Sequence, residues 1–320
     1  MKALVTGGTG FLGKHIVEQL LDRGYGVHVL ARGKTPTTLS TSAKLTFFRG
    51  DILDVRALKE AADVDVIFHV AAKAGIWGPY QSFFDCNVVG TRNVIKVCRE
   101  KGISSLVYTS SPSVVFGEHS IRGANESLPY PTRFLSSYAE TKAIAEREIL
   151  AANGEKLTTV ALRPHLIWGN GDNHLIPTLL RKASRLRIVG DGRNQVDITH
   201  VENAAHAHLL ALDALETVAG RAFFLAQEKP VLLWEWINDL LKLFGKSPIR
   251  KQIPFPLAYA AGAFCDSLAK LCPNWEPPMT RFLARQLAQD HYFDLSAAKK
   301  HLGYSPKVSI IDGMTALKNH

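Results

Sequence analysis

The sequence predicts an α/β fold in which a doubly wound parallel sheet precedes a smaller, mostly helical C-terminal lobe. In the first half of the 320 residues, short apolar runs alternate with longer helical patterns. The apolar runs are continuous in Val, Ile, Leu and Phe, which indicates strands that are buried on both faces. After Pro164 this regularity falls. We therefore expect a layered sheet domain and a second, less regular lobe.

The elements of the first half alternate as strands and crossover helices do in a parallel sheet. We predict strands at 2–6, 27–31, 45–51, 64–72, 104–111 and 157–164, and helices at 11–24, 57–62, about 82–101 and from 137 to 151. A helix at 200–215 and a strand at 221–226 return the chain to this sheet. The predicted sheet domain therefore comprises residues 1–165 and 190–226.

The remaining residues, 166–189 and 227–320, are predicted to form the helical lobe and to bind substrate. Helical patterns cover about 174–186, 231–244 and about 256–290. Prolines interrupt them at positions 248, 254, 256, 273 and 277–278.

Composition is that of an ordinary globular protein, with 46% hydrophobic and 21% charged residues. The four cysteines form no Cys-x-x-Cys pair, the N-terminus runs straight into a strand without room for a signal peptide, and we expect a cytoplasmic protein. The net charge of +9 suits an anionic ligand or an acidic membrane surface. Peripheral membrane contact is open, because residues 253–265 could form a buried or an interfacial helix. No nucleic-acid-binding motif occurs, and we predict no nucleic-acid partner.

The predicted first strand ends in a glycine-rich turn, TGGTGFLG. Gly7 permits the tight turn, Gly10 lets a pyrophosphate approach the backbone, and Gly13 allows close helix–strand packing. A plain strand–helix turn is the alternative, but it needs fewer glycines. The turn therefore predicts a Rossmann-type dinucleotide site. The other residues that we assign to it are Thr9, Phe11 and Leu12.

The end of the second predicted strand indicates which dinucleotide binds. A site for NAD would carry an acidic residue there to bond the ribose 2′-hydroxyl. Here Ala31 is followed by Arg32 and Lys34, which favours a 2′-phosphate and hence NADP(H). A solvated basic turn is the alternative. At the end of the third strand, Asp51 is a candidate for bonding the adenine amine, with Ile52 beside it.

Tyr138 and Lys142 lie four positions apart in a stretch of good helix formers, SYAETKAIAE. Positions i and i+4 share one face of a helix. A cation close to a phenol lowers the phenol's pKa, so the pair could be a tuned proton-transfer device. The alternative is a surface tyrosine above a solvated lysine.

Seven motifs then occur in the order found in extended short-chain dehydrogenase/reductases of the 3β-hydroxysteroid dehydrogenase type. They are TGGTGFLG, GDILD (50–54), HVAA (69–72), NVVGT (87–91), YTSS (108–111), YAETK (138–142) and RPHLIWG (163–169). The chain resembles that family over its whole length. The resemblance implies that Tyr138 is the acid/base, that Lys142 holds the nicotinamide ribose, and that Ser111 bonds the substrate oxygen. Ser110 and Ser113 are its neighbours.

The same resemblance implies further cofactor contacts. Ala71 and Ala72 would line the nucleotide, and Asn87 would lie near the cofactor or cap backbone groups instead. Flanking the nicotinamide would be Pro164, Leu166 and Ile167.

Local stretches are similar to a narrower group, the 2-alkyl-3-ketoalkanoate reductases of bacterial long-chain olefin biosynthesis. These include AAKAGIWGPY (71–80), EPPMTRFLARQLAQ (276–289) and LGYSPKVS (302–309). This implies NADPH-dependent reduction of a lipid-like β-keto acid, and association with the enzyme that forms the β-lactone downstream. Lys73 is then a candidate anchor for the carboxylate, or a surface lysine. Candidates for lining an apolar pocket, or for packing, are Trp77, His165 and Trp168.

Three rival functions remain. A 3β-hydroxysteroid or sterol-carboxylate dehydrogenase usually prefers NAD. A sugar-nucleotide epimerase or dehydratase is a second rival, although Pro112 and Ser113 replace the acid/base pair of the dehydratases. A non-catalytic NADP-sensing regulator is the third. We predict no metal site, since His206 and His208 face different ways on a helix. Family members often dimerise through the helices at about 82–101 and 137–151, and we expect a homodimer.

Overall fold

The computed structural model describes residues 1–33, 42–75, 77–272 and 275–318. In chain order the strands are β1 (Lys2–Thr6), β2 (Gly26–Ala31), β3 (Leu45–Arg49), β4 (Val66–His69), β5 (Ser105–Thr109), β6 (Ile121–Ala124), β7 (Thr158–Pro164), β8 (Ile167–Trp168), β9 (Ile188–Val189), β10 (Gln195–Val196), β11 (Thr199–His200), β12 (Arg221–Leu225), β13 (Val231–Leu232), β14 (Gln252–Ile253) and β15 (His291–Phe293). The helices are α1 (Phe11–Asp22), α2 (Val55–Ala61), α3 (Tyr80–Phe84), α4 (Gly90–Lys101), α5 (Ser137–Ala151), α6 (Leu175–Lys182), α7 (Val201–Asp213), α8 (Leu233–Leu243), α9 (Phe255–Leu271), α10 (Arg281–Ala288), α11 (Ser296–Leu302) and α12 (Ile310–Lys318).

Seven of these strands form one parallel sheet in the order β3-β2-β1-β4-β5-β7-β12. The strand order reverses between β1 and β4. In doubly wound sheets, ligands bind in the crevice at this switch point, beyond the carboxyl ends of the strands. The sequence prediction of a doubly wound parallel sheet is confirmed.

Both faces of the sheet are covered, which explains the continuous apolar runs of its strands. On one face, α1 and α7 contribute Ile16, Leu20 and Leu209 to the core. On the other, α2, α4 and α5 contribute residues such as Val94 and Ile149.

The second half is helical in the main, as predicted, but it also contains short strands that the sequence did not reveal. A four-stranded sheet has the order β13-β10-β15-β6, and two pairs, β8–β11 and β9–β14, stand beside it. The four-stranded sheet joins residues 121–124 and 195–196, which the predicted division gives to the sheet domain, to 231–232 and 291–293 from the lobe. Strands of two to four residues show too little alternation to be recognised.

Two predicted helices are interrupted. The segment predicted at about 82–101 consists of α3, one π-helical turn at Asp85–Val89, and α4. The segment predicted at about 256–290 consists of α9 and α10, which the proline-containing stretch separates. The lobe core is apolar and is built around three tryptophans: Trp168, Trp234 and Trp236.

Candidate active site

The glycine turn between β1 and α1 leaves no space for side chains. Gly7 has φ 70°, and a Cβ there would lie 2.9 Å from the backbone nitrogen of Ala71. A Cβ at Gly13 would overlap the carbonyl oxygen of Gly7. Helix α1 begins at Phe11 with no cap from a described side chain, so its first N–H groups can receive an anion. The turn therefore fits the pyrophosphate of a dinucleotide, and it lies against Ala71, which was predicted to line the nucleotide.

The predicted adenosine contacts meet at the ends of β2 and β3. Arg32 is 80% exposed, and its Nη1 lies 3.8 Å from Oδ2 of Asp51. The Asp51 carboxylate also accepts the N–H of Leu53 at 3.0 Å. Ile52 is buried, and its side chain fills the space above Gly90. Lys34 lies outside the described residues.

A buried relay of hydrogen bonds follows β4 and was not predicted. Thr6 Oγ1 lies 2.8 Å from Nδ1 of His69, and Nε2 of His69 lies 2.9 Å from Oγ1 of Thr91. Since Thr91 donates its hydroxyl proton to the carbonyl of Asn87, His69 must donate from Nε2 and accept at Nδ1. Burial lowers the pKa of His69 to about 3, so the ring stays neutral. The relay ties β1 and β4 to α4.

Asn87 extends this relay to α5. Its Oδ1 accepts the N–H of Lys73 at 2.7 Å, and its Nδ2 donates to the carbonyl of Lys73 at 3.1 Å. The same Nδ2 lies 3.0 Å from Oγ1 of Thr141. The sequence allowed Asn87 either to lie near the cofactor or to cap backbone groups, and these hydrogen bonds show the capping. The loop after β4 is thereby held against the helix that carries Tyr138.

Tyr138 and Lys142 lie on α5, whose N-terminus is capped by Ser136 through a 3.1 Å bond from the N–H of Ala139. Ser111 follows β5, and its hydroxyl lies close enough to Tyr138 to lower the pKa of that phenol. Ser111 Oγ accepts both the N–H and the hydroxyl of Ser113, at 3.2 and 3.0 Å. Its own proton therefore remains for donation. The structure brings together the three residues that were predicted to be catalytic.

The electrostatics of this trio differ from the expectation. Burial raises the pKa of Tyr138, and the hydrogen bond from Ser111 offsets this in part. Burial also lowers the pKa of Lys142 to about 7, against the opposing effects of Glu146 and Cys86. The net shift of the Tyr138 pKa is therefore upward and not downward as expected, because burial is its largest cause. The Lys142 ammonium donates to the carbonyl of Thr109 at 2.6 Å and lies 4.2 Å from the centre of the Tyr108 ring.

Behind Lys142 lies a buried ion pair that the sequence analysis missed. Glu146 accepts two bonds from Arg163, at 2.9 and 2.6 Å, and one from the Tyr130 hydroxyl at 2.7 Å. Glu146 and Arg163 are 0% and 3% exposed. The spacing Tyr138, Lys142, Glu146 follows one helix face and was a signal that could have found it.

The residues predicted to touch substrate lie in different surroundings. Lys73 is partly buried, donates from Nζ to the Ser82 hydroxyl at 2.6 Å, and lies 4.9 Å from the centre of the Phe83 ring. Trp77 is half-buried. His165 and Trp168 are buried, which is the packing role that the sequence also allowed. His165 bonds His291 at 2.6 Å, and Trp168 packs edge-on against His200 and Trp236.

The residues predicted to flank the nicotinamide lie at the end of β7 and just beyond it. Pro164 is buried, and Ile167 is partly buried. Between them, Leu166 has φ 41°, the one positive φ among the described non-glycine residues. A bulky non-glycine residue with positive φ is uncommon, and here it marks a constrained turn.

Comparison with known proteins identifies the family. The model of the 3-beta hydroxysteroid dehydrogenase/isomerase family matches residues 4–257. The chain belongs to this family. It is an oxidoreductase of the extended short-chain type, as its motifs predicted, and an NAD(P) cofactor is typical of such proteins.

Three relatives show the range of this family. The chain is 46% identical to a 2-alkyl-3-oxoalkanoate reductase of Stenotrophomonas maltophilia, over 99% of this chain and 98% of that protein. It is 35% identical to the mouse sterol-4-alpha-carboxylate 3-dehydrogenase, decarboxylating, over 97% of this chain and 88% of that protein. The structure of UDP-glucuronic acid 4-epimerase from Bacillus cereus in complex with NAD matches with a TM-score of 0.76 at 25% identity, covering 100% of this chain and 98% of that one.

Proposed function

We propose that this member of the family reduces the 3-oxo group of a long-chain 2-alkyl-3-oxoalkanoic acid to the 3-hydroxy acid with NADPH, in olefin biosynthesis. The observation that carries the proposal is the 46% identity to a 2-alkyl-3-oxoalkanoate reductase across almost the entire length of both chains. The identity to the mouse sterol-4-alpha-carboxylate 3-dehydrogenase is lower, at 35%.

The preference for NADPH is supported by the end of β2. Ala31 stands where an acid would bond a ribose hydroxyl, and Arg32 follows it. The Arg32 guanidinium is 80% exposed, and its contact with Asp51 is long at 3.8 Å, so it can turn towards a 2′-phosphate at little cost.

In the proposed mechanism, the reduced nicotinamide, when bound, supplies a hydride to the C3 carbonyl carbon. Ser111 donates a hydrogen bond to the carbonyl oxygen, because Ser113 occupies its acceptor side. Tyr138 donates the proton that converts the developing alkoxide to the alcohol.

Lys142 positions the reacting groups and supplies charge. Its Nζ is held by the carbonyl of Thr109 and is half-protonated near neutral pH, because its pKa is about 7. A protonated Lys142 stabilises the Tyr138 phenolate that proton donation leaves behind. Glu146 favours that protonated form from the next turn of α5.

The carboxylate of the substrate is proposed to bind Lys73. Lys73 is partly buried in the loop that Asn87 holds, and the only side-chain acceptor of its ammonium among the described residues is the Ser82 hydroxyl. A carboxylate can replace that neutral acceptor with a stronger, charge-assisted bond. Trp77 lies four positions along the same loop, where it can contact an alkyl chain.

We also propose which part of the chain binds the cofactor, which part binds the substrate, and which proteins are its partners. Residues 1–165 and 190–226 would hold the cofactor, and 166–189 with 227–320 would shape the alkyl pocket. A homodimer would form through α4 and α5. The 3-hydroxy acid product is the compound that a β-lactone-forming enzyme consumes, so association with such an enzyme is proposed as well.

The test offers the purified chain a synthetic long-chain 2-alkyl-3-hydroxy acid with NADP⁺ or NAD⁺ and follows nicotinamide absorbance. The oxidative direction avoids the β-keto acid, which loses carbon dioxide readily. We expect turnover with NADP⁺ well above that with NAD⁺. No turnover of the acid, with turnover of a 3β-hydroxysteroid on NAD⁺, would contradict the proposal and assign the chain to the sterol branch.

A further inference from the structure

Helix α9 carries an apolar stripe on its outer face. The stripe consists of Leu257, Phe264, Leu268 and Leu271, which are 61%, 69%, 38% and 80% exposed. At about 100° per residue these positions fall within about 60° of the helix circumference. With Trp275 they make up five of the ten large apolar side chains that are exposed in the described residues, so the exposure is concentrated in one place.

The opposite face of α9 packs against the rest of the protein. Ala258 and Ala269 are buried, and a Cβ at Gly262 would overlap the backbone of Thr280 at 2.6 Å. Asp266 binds the guanidinium of Arg281 on α10 at 2.8 Å. The helix therefore cannot rotate to hide its stripe without losing these contacts.

Two segments rich in cations meet just before the N-terminus of α9. Segments 181–187 and 246–251 contain seven Lys and Arg residues and no acidic residue. The N–H of Ile188 donates to the carbonyl of Lys251 at 2.9 Å, so the two segments meet just before α9 begins. Lys182 pairs with Glu276 at 3.3 Å, and the carboxylate of Asp266 is already paired. The surface is thus an apolar stripe beside a net positive field.

We propose that the α9 stripe docks on an anionic lipid bilayer. An apolar helix face flanked by Lys and Arg matches the boundary between acyl chains and anionic headgroups. A second copy of this chain is the poorer fit, because a two-fold contact through the stripe would bring the cations of both copies together. Among the described residues no helix is both long and apolar enough to cross a membrane, so the helix lies on the surface.

Such a surface suits the proposed substrate, since a long-chain 2-alkyl acid partitions into bilayers. That reason rests on the proposed function, but the surface and its test do not. Binding is measured on the full-length chain without substrate, so failure of the activity assay and failure of this inference are separate results.

The test is co-sedimentation with vesicles of phosphatidylcholine alone or of phosphatidylcholine and phosphatidylglycerol in equal parts. We expect binding to the anionic vesicles at low salt and weaker binding to the neutral ones. Leu271→Ser should lower the partition coefficient about tenfold, and Phe264→Ser with Leu271→Ser by more. Ile311→Ser is the matched control, because Ile311 is 78% exposed on α12, and it should leave binding unchanged.

A second pair of variants, which have the same net charge as each other, tests whether the position of the cations matters. Arg250→Glu with Lys251→Glu reverses two charges beside α9, and each reversal is expected to lower binding at least about fivefold. Lys156→Glu with Lys229→Glu makes the same change at exposed positions elsewhere and should have little effect.

Three results would overturn the inference. Absence of binding to anionic vesicles is the first. Binding that Leu271→Ser and Ile311→Ser leave equally intact would assign it to net charge alone. A change of oligomeric state in the stripe variants, measured by light scattering, with vesicle binding unchanged, would assign the stripe to contact between copies.

Discussion

The sheet domain and the lobe of this protein are stabilised in contrasting ways. Around the switch point of the sheet, polar side chains are buried and paired, as in the relay of Thr6, His69 and Thr91 and the ion pair of Glu146 with Arg163. In the lobe, the core is apolar, and apolar side chains also face outwards along α9.

The difference suggests separate roles: the sheet domain holds the proposed catalytic residues rigidly, and the lobe can adapt to the shape of what it binds. Buried hydrogen bonds are directional, and losing one partner leaves a costly unpaired group. They therefore hold Tyr138 and Lys142 within narrow limits. Apolar packing is non-directional and tolerates changes of shape, which suits the proposed role of the lobe in binding alkyl chains.

The largest effect is expected at the proposed proton donor. Tyr138→Phe should lower kcat about a thousandfold, because no hydroxyl remains to protonate the alkoxide. The circular dichroism spectrum and Tm should stay close to those of the parent. A decrease in kcat of less than tenfold would mean that Tyr138 is not the proton donor.

A contrast within α5 tests the cost of breaking buried pairs. Glu146→Gln should lower the free energy of unfolding by about 3 kcal/mol, because it leaves Arg163 buried and unpaired. Glu148→Gln, which breaks the exposed pair with Arg92, should cost less than about 1 kcal/mol. Urea unfolding of both variants measures the difference, and equal costs would contradict the account.

Cofactor choice is expected to depend on one exposed cation. Arg32→Ala should raise the KM for NADPH by about tenfold or more and leave the KM for NADH unchanged. Only NADPH carries the 2′-phosphate that Arg32 is proposed to bind. An equal loss with both cofactors would show that Arg32 acts on something other than the phosphate.

A smaller effect concerns pH. His208 donates from Nδ1 to Ala204 and accepts from Thr109 at 2.7 Å, and burial lowers its pKa to about 4. Between pH 6.5 and 4 the unfolded chain binds a proton there and the folded chain does not, so stability falls as pH falls. His208→Gln should flatten that dependence by up to about 1.4 kcal/mol per pH unit. An unchanged slope in urea titrations across this window would contradict it.

The two halves also differ in how far the sequence predicts them. The glycine turn and the Tyr138–Lys142 pair are local patterns, because their partners lie within a few residues or one helical turn. The relay at His69 joins residues 63 and 22 positions away, so no local pattern reveals it. The pairing of β15 with β6 spans the chain in the same way, and strands this short carry no periodicity of their own.

The electrostatic expectation failed for a related reason. Proximity of Lys142 to Tyr138 follows from spacing, but burial depends on the tertiary packing of α5 against the sheet. That burial raises the pKa of one group and lowers the pKa of the other.

The central claim is that the Tyr138, Lys142 and Ser111 site directs a hydride to C3 of a 2-alkyl-3-oxo acid. The most direct measurement supplies NADPH deuterated at the transferred position, with the acid freshly released from its ester, and analyses the product by mass spectrometry. We predict one deuterium at C3 of a 2-alkyl-3-hydroxy acid, formed far more slowly by Tyr138→Phe. A product without deuterium at C3, or equal rates in the two proteins, would contradict the claim.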